Sequence, residues 1–317
     1  MTSTVVVAGA AGDLGSRIAT ALVARGATVR ALVRPRADPA DRERLTGLGA
    51  EMVAADPTDL DSTAAAVAGA SCVVSALNGL REVILDRQSV LLDAAVRAGV
   101  PRFVPSDYSA DFLRSAPGGN RNLDLRREFA GRADRAAIKV TSVLNGAFMD
   151  MLGAEMPIIQ PKIRRVLYWG DPEQPLDFTT KDDVAAATAA VALDSDTPRW
   201  LRFAGDTVSA RDIAAAMTQV SGQSYATLRV GSVGGLGVVI AAMRRLAPAP
   251  SAVFPAWQGM QYTRDMFEGR VRLTPLDNAR YPELTWTSVT EHAARIVGGA
   301  HLEARNRVDV TEPPAVR

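Results

Sequence analysis

Three glycines near the amino terminus, Gly9, Gly12 and Gly15, have the spacing of a phosphate-binding turn. They follow the apolar run 4–8 and lead into a segment with helical character that ends before Gly26. In a strand–turn–helix unit, these glycines permit the tight turn, the approach of a pyrophosphate and close helix–strand packing, respectively. Backbone N–H groups at the helix start then face the phosphates. The pattern therefore predicts a dinucleotide site, rather than an ordinary glycine-rich turn, with cofactor contacts at Gly9, Ala11, Gly12, Asp13, Leu14 and Gly15.

Two arginines at the end of the predicted second strand, Arg34 and Arg36, indicate which dinucleotide binds. An NAD site usually has a carboxylate at this point, which would repel a 2′-phosphate. Guanidinium groups would instead hold that phosphate through charge-assisted hydrogen bonds. The alternative is that both are solvated surface arginines. We predict NADP(H), with the complication that Asp13 adds negative charge near the pyrophosphate unless it caps its own helix.

Strand and helix patterns alternate through residues 1–150, which we interpret as the NADP(H)-binding domain. Expected strands cover 4–8, 28–33, 50–55, 72–76, 102–105 and 139–144, and expected helices cover 13–25, 39–47, 60–68, 80–98 and 123–136. This alternation predicts an α/β fold with a doubly wound parallel sheet of the Rossmann type. Residues 151–300 are predicted to form a smaller, mostly helical substrate-binding cap, with return segments near 176–193. Residues 301–317 have the composition of a flexible tail.

The overall composition excludes several classes of function. The 317 residues carry 36 basic and 35 acidic side chains, so no basic field is available for nucleic acid. The sole cysteine, Cys72, lies in an apolar run and is expected to be a buried, reduced thiol. No group of residues has metal-ligand spacing. Without a signal peptide or a spanning segment, we expect a cytoplasmic monomer or homodimer that does not bind membranes.

Further motifs follow the glycine turn in a characteristic order. They are ALVR (31–34), ADPTD (55–59), VSAL (74–77), RFVPSDY (102–108), LDFTTKDDVA (176–185) and LDNARYP (276–282). In this order and spacing the chain resembles the NmrA-like and isoflavone-reductase-like group of atypical short-chain dehydrogenases, over residues 3 to 297. The resemblance implies an NADP-dependent domain, a substrate cleft beneath a carboxyl-terminal cap, and hydride transfer to small, often aromatic substrates.

The resemblance also implies positions for the cofactor. The backbone at Leu77, Asn78 and Gly79 would flank it, Gln88 would point toward it, and Ser106 and Asn145 would border the nicotinamide. All of these except Gln88 also lie at carboxyl ends of successive predicted strands, where doubly wound sheets bind ligands. Candidate substrate contacts are Asp107, for which capping a loop is the alternative role, and the apolar Phe148 and Met149.

One departure from the family concerns the proton donor. Reductase members carry a catalytic lysine on the helix before the sixth strand, and counting back from Ile138 places that position at Arg126. Arginine stays protonated, so Arg126 could stabilise an oxyanion but could not supply a proton. We therefore predict that Tyr108 is the donor, with its pKa lowered by a nearby guanidinium. A ring that simply packs against the cap is the alternative.

Together these features predict an NADPH-dependent reductase of a small, aromatic or polyketide-like carbonyl or activated alkene. Two alternatives remain open. One is a regulatory protein that binds NADP(H) and senses its redox ratio without turnover, as the missing lysine would allow. The other is an isomerase or lyase that retains bound NADP and catalyses no net redox reaction. The group Trp257, Tyr262, Met266 and Phe267 has helical spacing and is expected to be core, and the alternative is that it lines the substrate pocket.

Overall fold

The computed structural model describes residues 3–36, 38–153 and 156–298. Its main sheet consists of β1 (Thr4–Ala8), β2 (Thr28–Val33), β3 (Glu51–Ala54), β4 (Cys72–Ser75), β5 (Arg102–Val104) and β6 (Lys139–Val140). These strands are ordered β3-β2-β1-β4-β5-β6, and all pairings among them are parallel. The predicted doubly wound sheet is confirmed.

Helices cover both faces of this sheet. They are α1 (Asp13–Ala24), α2 (Pro39–Gly47), α3 (Leu60–Val67), α4 (Gln88–Arg97), α5 (Arg121–Ala133) and α6 (Lys181–Leu193). Side chains alternate along β1, so Val5 and Val7 pack with α1 and α6, whereas Val6 packs on the opposite face with α4 and α5. Burial on both faces explains why β1 is a continuous apolar run rather than an alternating one.

The predicted strand 139–144 is divided at Thr141. Its first part is β6, and its second part, β7 (Ser142–Leu144), pairs in parallel with β12 (Trp200–Arg202) instead of with β5. The N–H of Thr141 still donates to the Phe103 carbonyl at 3.0 Å, which keeps the two parts aligned. The carboxyl end of β7, where Asn145 follows, therefore lies along the same sheet edge as the end of β5.

The predicted helix 80–98 begins with an irregular turn. Residues Glu82–Arg87 form a π-helix that continues directly into α4. Wide turns of this kind re-orient the residues that follow them and occur often at functional sites. Here the turn brings Gln88, at the start of α4, beneath the end of β5, where it is fully buried.

The rest of the described chain forms a capping part. Its helices are α7 (Ala210–Ser221), α8 (Val233–Leu246), α9 (Ala256–Glu268) and residues 289–298. Its short strands are β8 (Ala147–Phe148), β9 (Ile159–Gln160), β10 (Arg165–Trp169), β11 (Leu176–Thr179), β13 (Asp206–Val208) and β14 (Ala226–Gly231). The predicted, mostly helical cap is confirmed, with two small sheets added, β14-β10-β9 and β13-β11-β8. The predicted tail, 301–317, lies outside the described residues.

The glycine turn packs backbone against backbone. Gly9 has φ of +83°, which favours glycine, and a Cβ at this position would lie 2.7 Å from the Ala76 carbonyl oxygen. A Cβ on Gly15 would lie only 2.0 Å from the Gly9 carbonyl oxygen. Neither neighbour can move away easily, because both are main-chain atoms. The start of α1 is therefore fixed against the ends of β1 and β4.

This packing predicts a stability difference between two glycine substitutions. Gly15→Ala should lower the free energy of unfolding by about 1–3 kcal/mol, as expected for a methyl group forced into a filled space. Gly234→Ala is the matched control, because a Cβ there would meet nothing within 4 Å, so stability should stay the same or rise by up to about 1 kcal/mol. Urea unfolding of both variants measures this, and equal stabilities would contradict the packing argument.

Candidate active site

The amino terminus of α1 presents backbone N–H groups without a side-chain cap. Gly12 is the N-cap residue, and within the described chain no side chain accepts a hydrogen bond from the first turn of α1. The turn is closed by the Gly12 N–H, which donates to the Gly9 carbonyl at 2.9 Å. The uncapped N–H groups of Asp13 and Leu14 fit the phosphates of a dinucleotide, both by their direction and by the positive end of the helix dipole.

Asp13 does not cap α1, which corrects one of the two roles considered for it. Its carboxylate accepts a hydrogen bond from Lys181 at 2.7 Å and from Arg17 at 2.8 Å. Lys181 and Arg17 lower the pKa of Asp13, Lys181 having the larger effect. Asp13 therefore stays ionised, and two cations offset its charge beside the glycine turn.

Positive side chains flank the other side of the turn. Arg34 and Arg36 follow β2, are exposed, and form no ion pair with any residue that the structure describes. Arg44 of α2 donates to the Ala11 carbonyl of the glycine turn and to Asp41, the latter at 2.6 Å. The sequence analysis missed Arg44, because helix spacing alone did not indicate that this face of α2 lies over the turn.

The ends of β4 and β5 are joined by hydrogen bonds at Ser106. Its hydroxyl donates to the Leu77 carbonyl at 2.6 Å, and its N–H donates to the Gln88 side-chain oxygen at 2.9 Å. Leu77, Asn78 and Gly79 thus form a defined loop beside Ser106. The expectation that Gln88 points toward the cofactor is wrong, because its buried amide instead holds the backbone of Ser106 and also donates to the Ile84 carbonyl at 3.2 Å.

Asn145 has a buried side-chain amide with no hydrogen-bond partner among the described residues, for either its nitrogen or its oxygen. Its backbone is fixed, since its N–H donates to the Ser109 carbonyl at 3.0 Å and its carbonyl accepts from the Thr179 hydroxyl at 2.7 Å. A buried amide that forms no hydrogen bond is costly. The amide at the end of β7 is therefore suited to a ligand that presents both a donor and an acceptor, as a carboxamide does.

Asp107 and Arg126 are two charged residues that lie largely buried near this edge. Asp107 is fully buried, and one of its carboxylate oxygens accepts a hydrogen bond from the Ser142 hydroxyl at 2.5 Å. Burial raises the pKa of Asp107, while Ser142 and then the Arg126 guanidinium act in the opposite direction. The Asp107 side chain therefore does not cap the loop, which corrects that role, while its other carboxylate oxygen has no hydrogen-bond partner among the described residues and its role toward a substrate stays a prediction.

Arg126 lies on the second turn of α5, with its side chain largely buried. One terminal nitrogen donates to the Asn122 carbonyl at 3.1 Å, and its Nε has no hydrogen-bond partner among the described residues. The guanidinium also acts electrostatically on the Tyr262 hydroxyl. Arg126 thus has hydrogen-bonding capacity left to hold an oxygen of a substrate.

Tyr108 is not a suitable proton donor, contrary to the prediction. Its side chain is buried among the apolar residues between the sheet and α6, including Val184 and Ala187. Burial raises the pKa of Tyr108, and the negative charge of Asp107 raises it further. The expected guanidinium is not among the causes of the shift. The ring packs in the core beneath α6, away from α5.

The two predicted apolar substrate contacts have different surroundings. Met149 is fully buried in the core of the capping part with Leu152 and Phe178, so it cannot line a substrate wall. This prediction is wrong because β8 ends at Phe148 and Met149 begins a 3-10 turn that directs its side chain into the core of the capping part. Phe148 is partly buried against the core of the first domain and keeps some exposed surface.

A buried polar cluster between α5 and α9 was missed by the sequence analysis. The Asn120 side chain accepts from Gln258 at 2.8 Å and donates to Asp265 at 2.9 Å, and the Arg121 N–H donates to Gln261 at 3.3 Å. The Asn122 side chain accepts from Arg121 Nε at 3.2 Å and donates to the Val253 carbonyl at 3.2 Å. The polar residues at positions 258, 261, 262 and 265 have helical spacing. This spacing in the sequence could have predicted a polar face on α9.

Comparison with known proteins identifies the family. The model of the NmrA-like family matches residues 1–233, so the chain belongs to this family. Pinoresinol reductase 1 from Arabidopsis thaliana is 30% identical, with 68% of this chain and 71% of that protein covered. Pinoresinol reductase 2 from the same plant is 31% identical over 61% of this chain, and the match spans 65% of the length of that relative.

Solved structures support the fold over nearly the whole chain. AtPrR2 with NADP+ and (+)pinoresinol superposes with a TM-score of 0.76 at 22% identity, covering 94% of this chain and 99% of that one. Leucoanthocyanidin reductase from Vitis vinifera, solved with NADPH, superposes with a TM-score of 0.78 at 20% identity. The match covers 93% of this chain and 99% of that one. Within the described residues, no helix has the length and apolar character needed to cross a membrane.

The raised pKa of Asp107 predicts a pH dependence of stability. The folded protein binds more protons than the unfolded chain above the usual aspartate pKa of about 3.9, so stability falls as pH rises from there toward the raised folded-state value. Asp107→Asn should weaken this fall. Asp196→Asn, whose side chain is fully exposed, is the control and should leave the slope unchanged. Urea unfolding between pH 4 and pH 8 measures both slopes, and parallel wild-type and Asp107→Asn curves would refute the assignment.

Proposed function

We propose that this chain is an NADPH-dependent reductase of a small aromatic or polyketide-like substrate, acting on a carbonyl or an activated alkene. The observation that carries the proposal is the arrangement along one sheet edge of an uncapped glycine turn, two exposed arginines and the unpartnered amide of Asn145. These features match, in order, a pyrophosphate, a 2′-phosphate and a carboxamide. The named relatives, which are pinoresinol reductases, support the aromatic class of substrate.

Particular residues would hold the cofactor. The N–H groups of Asp13, Leu14 and Gly15 would bind the pyrophosphate, together with the backbone of Gly9, Ala11 and Gly12. Arg34 and Arg36 would bind the 2′-phosphate. Leu77, Asn78, Gly79, Ser106 and Asn145 would surround the nicotinamide. When bound, NADPH supplies a hydride to the substrate.

The residues around the nicotinamide end would bind and orient the substrate. Phe148 would contact an aromatic ring, since it keeps exposed surface next to the end of β7. Arg126 would stabilise the negative charge that develops on the substrate oxygen, because a guanidinium is a fixed cation with several donors. It would not supply the proton, since arginine does not deprotonate in proteins.

A second candidate function is a sensor of the NADP(H) redox ratio without turnover. The observation that favours it is that Arg126, at the position of the family's catalytic lysine, cannot release a proton. The two functions differ in a single assay, oxidation of NADPH followed at 340 nm with aromatic aldehydes, aryl ketones, quinones and enones. Sustained turnover with any of these compounds supports the reductase. Tight NADPH binding with no turnover across the panel supports the sensor.

The arginine pair predicts selectivity for the phosphorylated cofactor. Arg34→Ala/Arg36→Ala should weaken NADPH binding by about 100-fold, since each charge-assisted hydrogen bond contributes about 1.5–3 kcal/mol and 1.4 kcal/mol is tenfold in affinity. NADH binding should change little. Arg229→Ala/Arg245→Ala is the control, because these two arginines are equally exposed but lie on β14 and α8. Calorimetry gives the dissociation constants, and equal losses for NADPH and NADH would exclude the phosphate contact.

A further inference from the structure

We infer that Tyr262 of α9 is the residue that donates the proton to the substrate oxygen. This inference rests on the proposed reductase function and identifies the acid that the function requires. It is carried by the packing of α9 on the start of α5, where Gln258 and Asp265 bind the Asn120 side chain and the Tyr262 ring packs beside Leu123.

The chain path places α5 at the ligand-binding edge of the sheet. β5 ends at Val104 at the carboxyl edge, and the chain stays there until α5 begins at Arg121. α5 then runs back to β6, whose first residue, Lys139, pairs with the first residue of β5. Asn122 and Arg126 occupy the first two turns of α5 and therefore lie close to the edge that carries Ser106.

Polar contacts hold α9 against the start of α5. Gln258 and Asp265 bind the side chain of Asn120, which is the N-cap of α5, at 2.8 and 2.9 Å. Tyr262 lies between them in sequence, four residues after Gln258 and three before Asp265, so all three project from one face of α9. These contacts hold α9, and with it the backbone of Tyr262, against the start of α5. Its ring is only partly buried, packing beside the core that includes Leu123 and Val271.

The surroundings of the Tyr262 hydroxyl favour loss of its proton more than burial alone would. Burial raises the pKa of Tyr262, whereas the positive charge of Arg126 and the polar side chain of Asn122 lower it. Asp265 raises this pKa further, and Arg121 lowers it. A tyrosine that acts as a general acid is expected to have a neighbouring cation that stabilises its phenolate. In this cluster Arg126 supplies the charge and Tyr262 supplies the proton.

The other ionisable groups near this edge are unsuitable. Tyr108 is enclosed beneath α6, and Asp107 is fully buried against Ser142. The lysines are also placed elsewhere. Lys181 pairs with Asp13, and Lys139 lies at the start of β6, at the opposite edge of the sheet, where it pairs with Asp196. Lys162 is exposed in the capping part, between β9 and β10. Within the described residues, Tyr262 combines a releasable proton, partial exposure and an adjacent cation.

For a carbonyl substrate the proposed step balances as follows. The carbonyl carbon accepts the hydride supplied by NADPH, and the π-electron pair moves onto the oxygen. That oxygen takes the proton of the Tyr262 hydroxyl and becomes an alcohol. NADP+ and a Tyr262 phenolate remain, and the phenolate is stabilised by Arg126 until it takes a proton from water. No further oxidant or reductant is needed.

The first experiment compares Tyr262→Phe with the wild type, using the panel compound that the wild type reduces fastest. We expect kcat to fall by about 10²–10⁴-fold, the usual contribution of a general acid, with the NADPH dissociation constant unchanged. The pH profile of kcat should also lose its alkaline decline, because the ionising acid has been removed. Tyr108→Phe is the matched control and should keep both the rate and the profile. A Tyr262→Phe variant with wild-type kcat and pH profile would overturn the inference while leaving the proposed reductase function intact.

A second experiment does not depend on turnover. Tyrosine ionisation is titrated by ultraviolet difference absorbance in the wild type, in Arg126→Met and in Tyr262→Phe. The Tyr262 signal, identified by its loss in Tyr262→Phe, should move to higher pH in Arg126→Met, because the stabilising cation has gone. An unchanged titration would overturn the inference. Failure of the proposed function would look different, since the wild type itself would then reduce no compound of the panel.

Discussion

The site depends on the close contact between the two ends of the glycine turn. The Gly9 carbonyl lies so near Gly15 that a single methyl group on Gly15 would come within 2.0 Å of it. Because of this contact, α1 begins directly after the turn that follows β1. The first N–H groups of the helix then face outward, beyond the edge of the sheet. A strand and a helix joined in this way form an anion site without any charged side chain. The charged residues then act on a site that the backbone has already formed.

The other parts of the site reach this edge from distant points in the sequence. Lys181 of α6 meets Asp13, so a segment from the second half of the chain balances the charge beside the glycine turn. The end of β7 contributes Asn145, and Thr179 of β11 holds its carbonyl in place. α9 covers the first turn of α5 through the buried contacts of Asn120. Residues from both parts of the chain thus form the substrate end of the site, whereas the glycine turn lies within the first part.

The sequence predicted best the features that depend on local patterns. The helix 39–47 is observed with the predicted bounds, because Asp38 caps it and Pro39 fits its first turn. The parallel doubly wound sheet followed from the alternation of strands and helices, and the apolar runs of β1 and β4 were correctly assigned as strands. The irregular turn Glu82–Arg87 was missed, since its sequence has ordinary helical character.

Side-chain direction at the strand ends could not be predicted in the same way. Tyr108 and Met149 both follow a strand closely, yet their side chains enter different cores, because the loop conformation after a strand decides which side a residue faces. Spacing along the chain carries no such information. Tyr262 was expected to be core because it lies among apolar residues of α9, more than 130 residues from Asn122 and Arg126. Its relation to them exists only in the folded molecule.

The most direct test of this account is a crystal structure of the protein with NADP+ bound. The account predicts the pyrophosphate on the N–H groups at the start of α1, the 2′-phosphate between Arg34 and Arg36, and the carboxamide on the side chain of Asn145. It also predicts that the space next to nicotinamide C4 opens toward Tyr262, with room for a reacting carbon at about 3–3.5 Å from C4. A dinucleotide bound away from the glycine turn, or a nicotinamide facing away from α5 and α9, would contradict it.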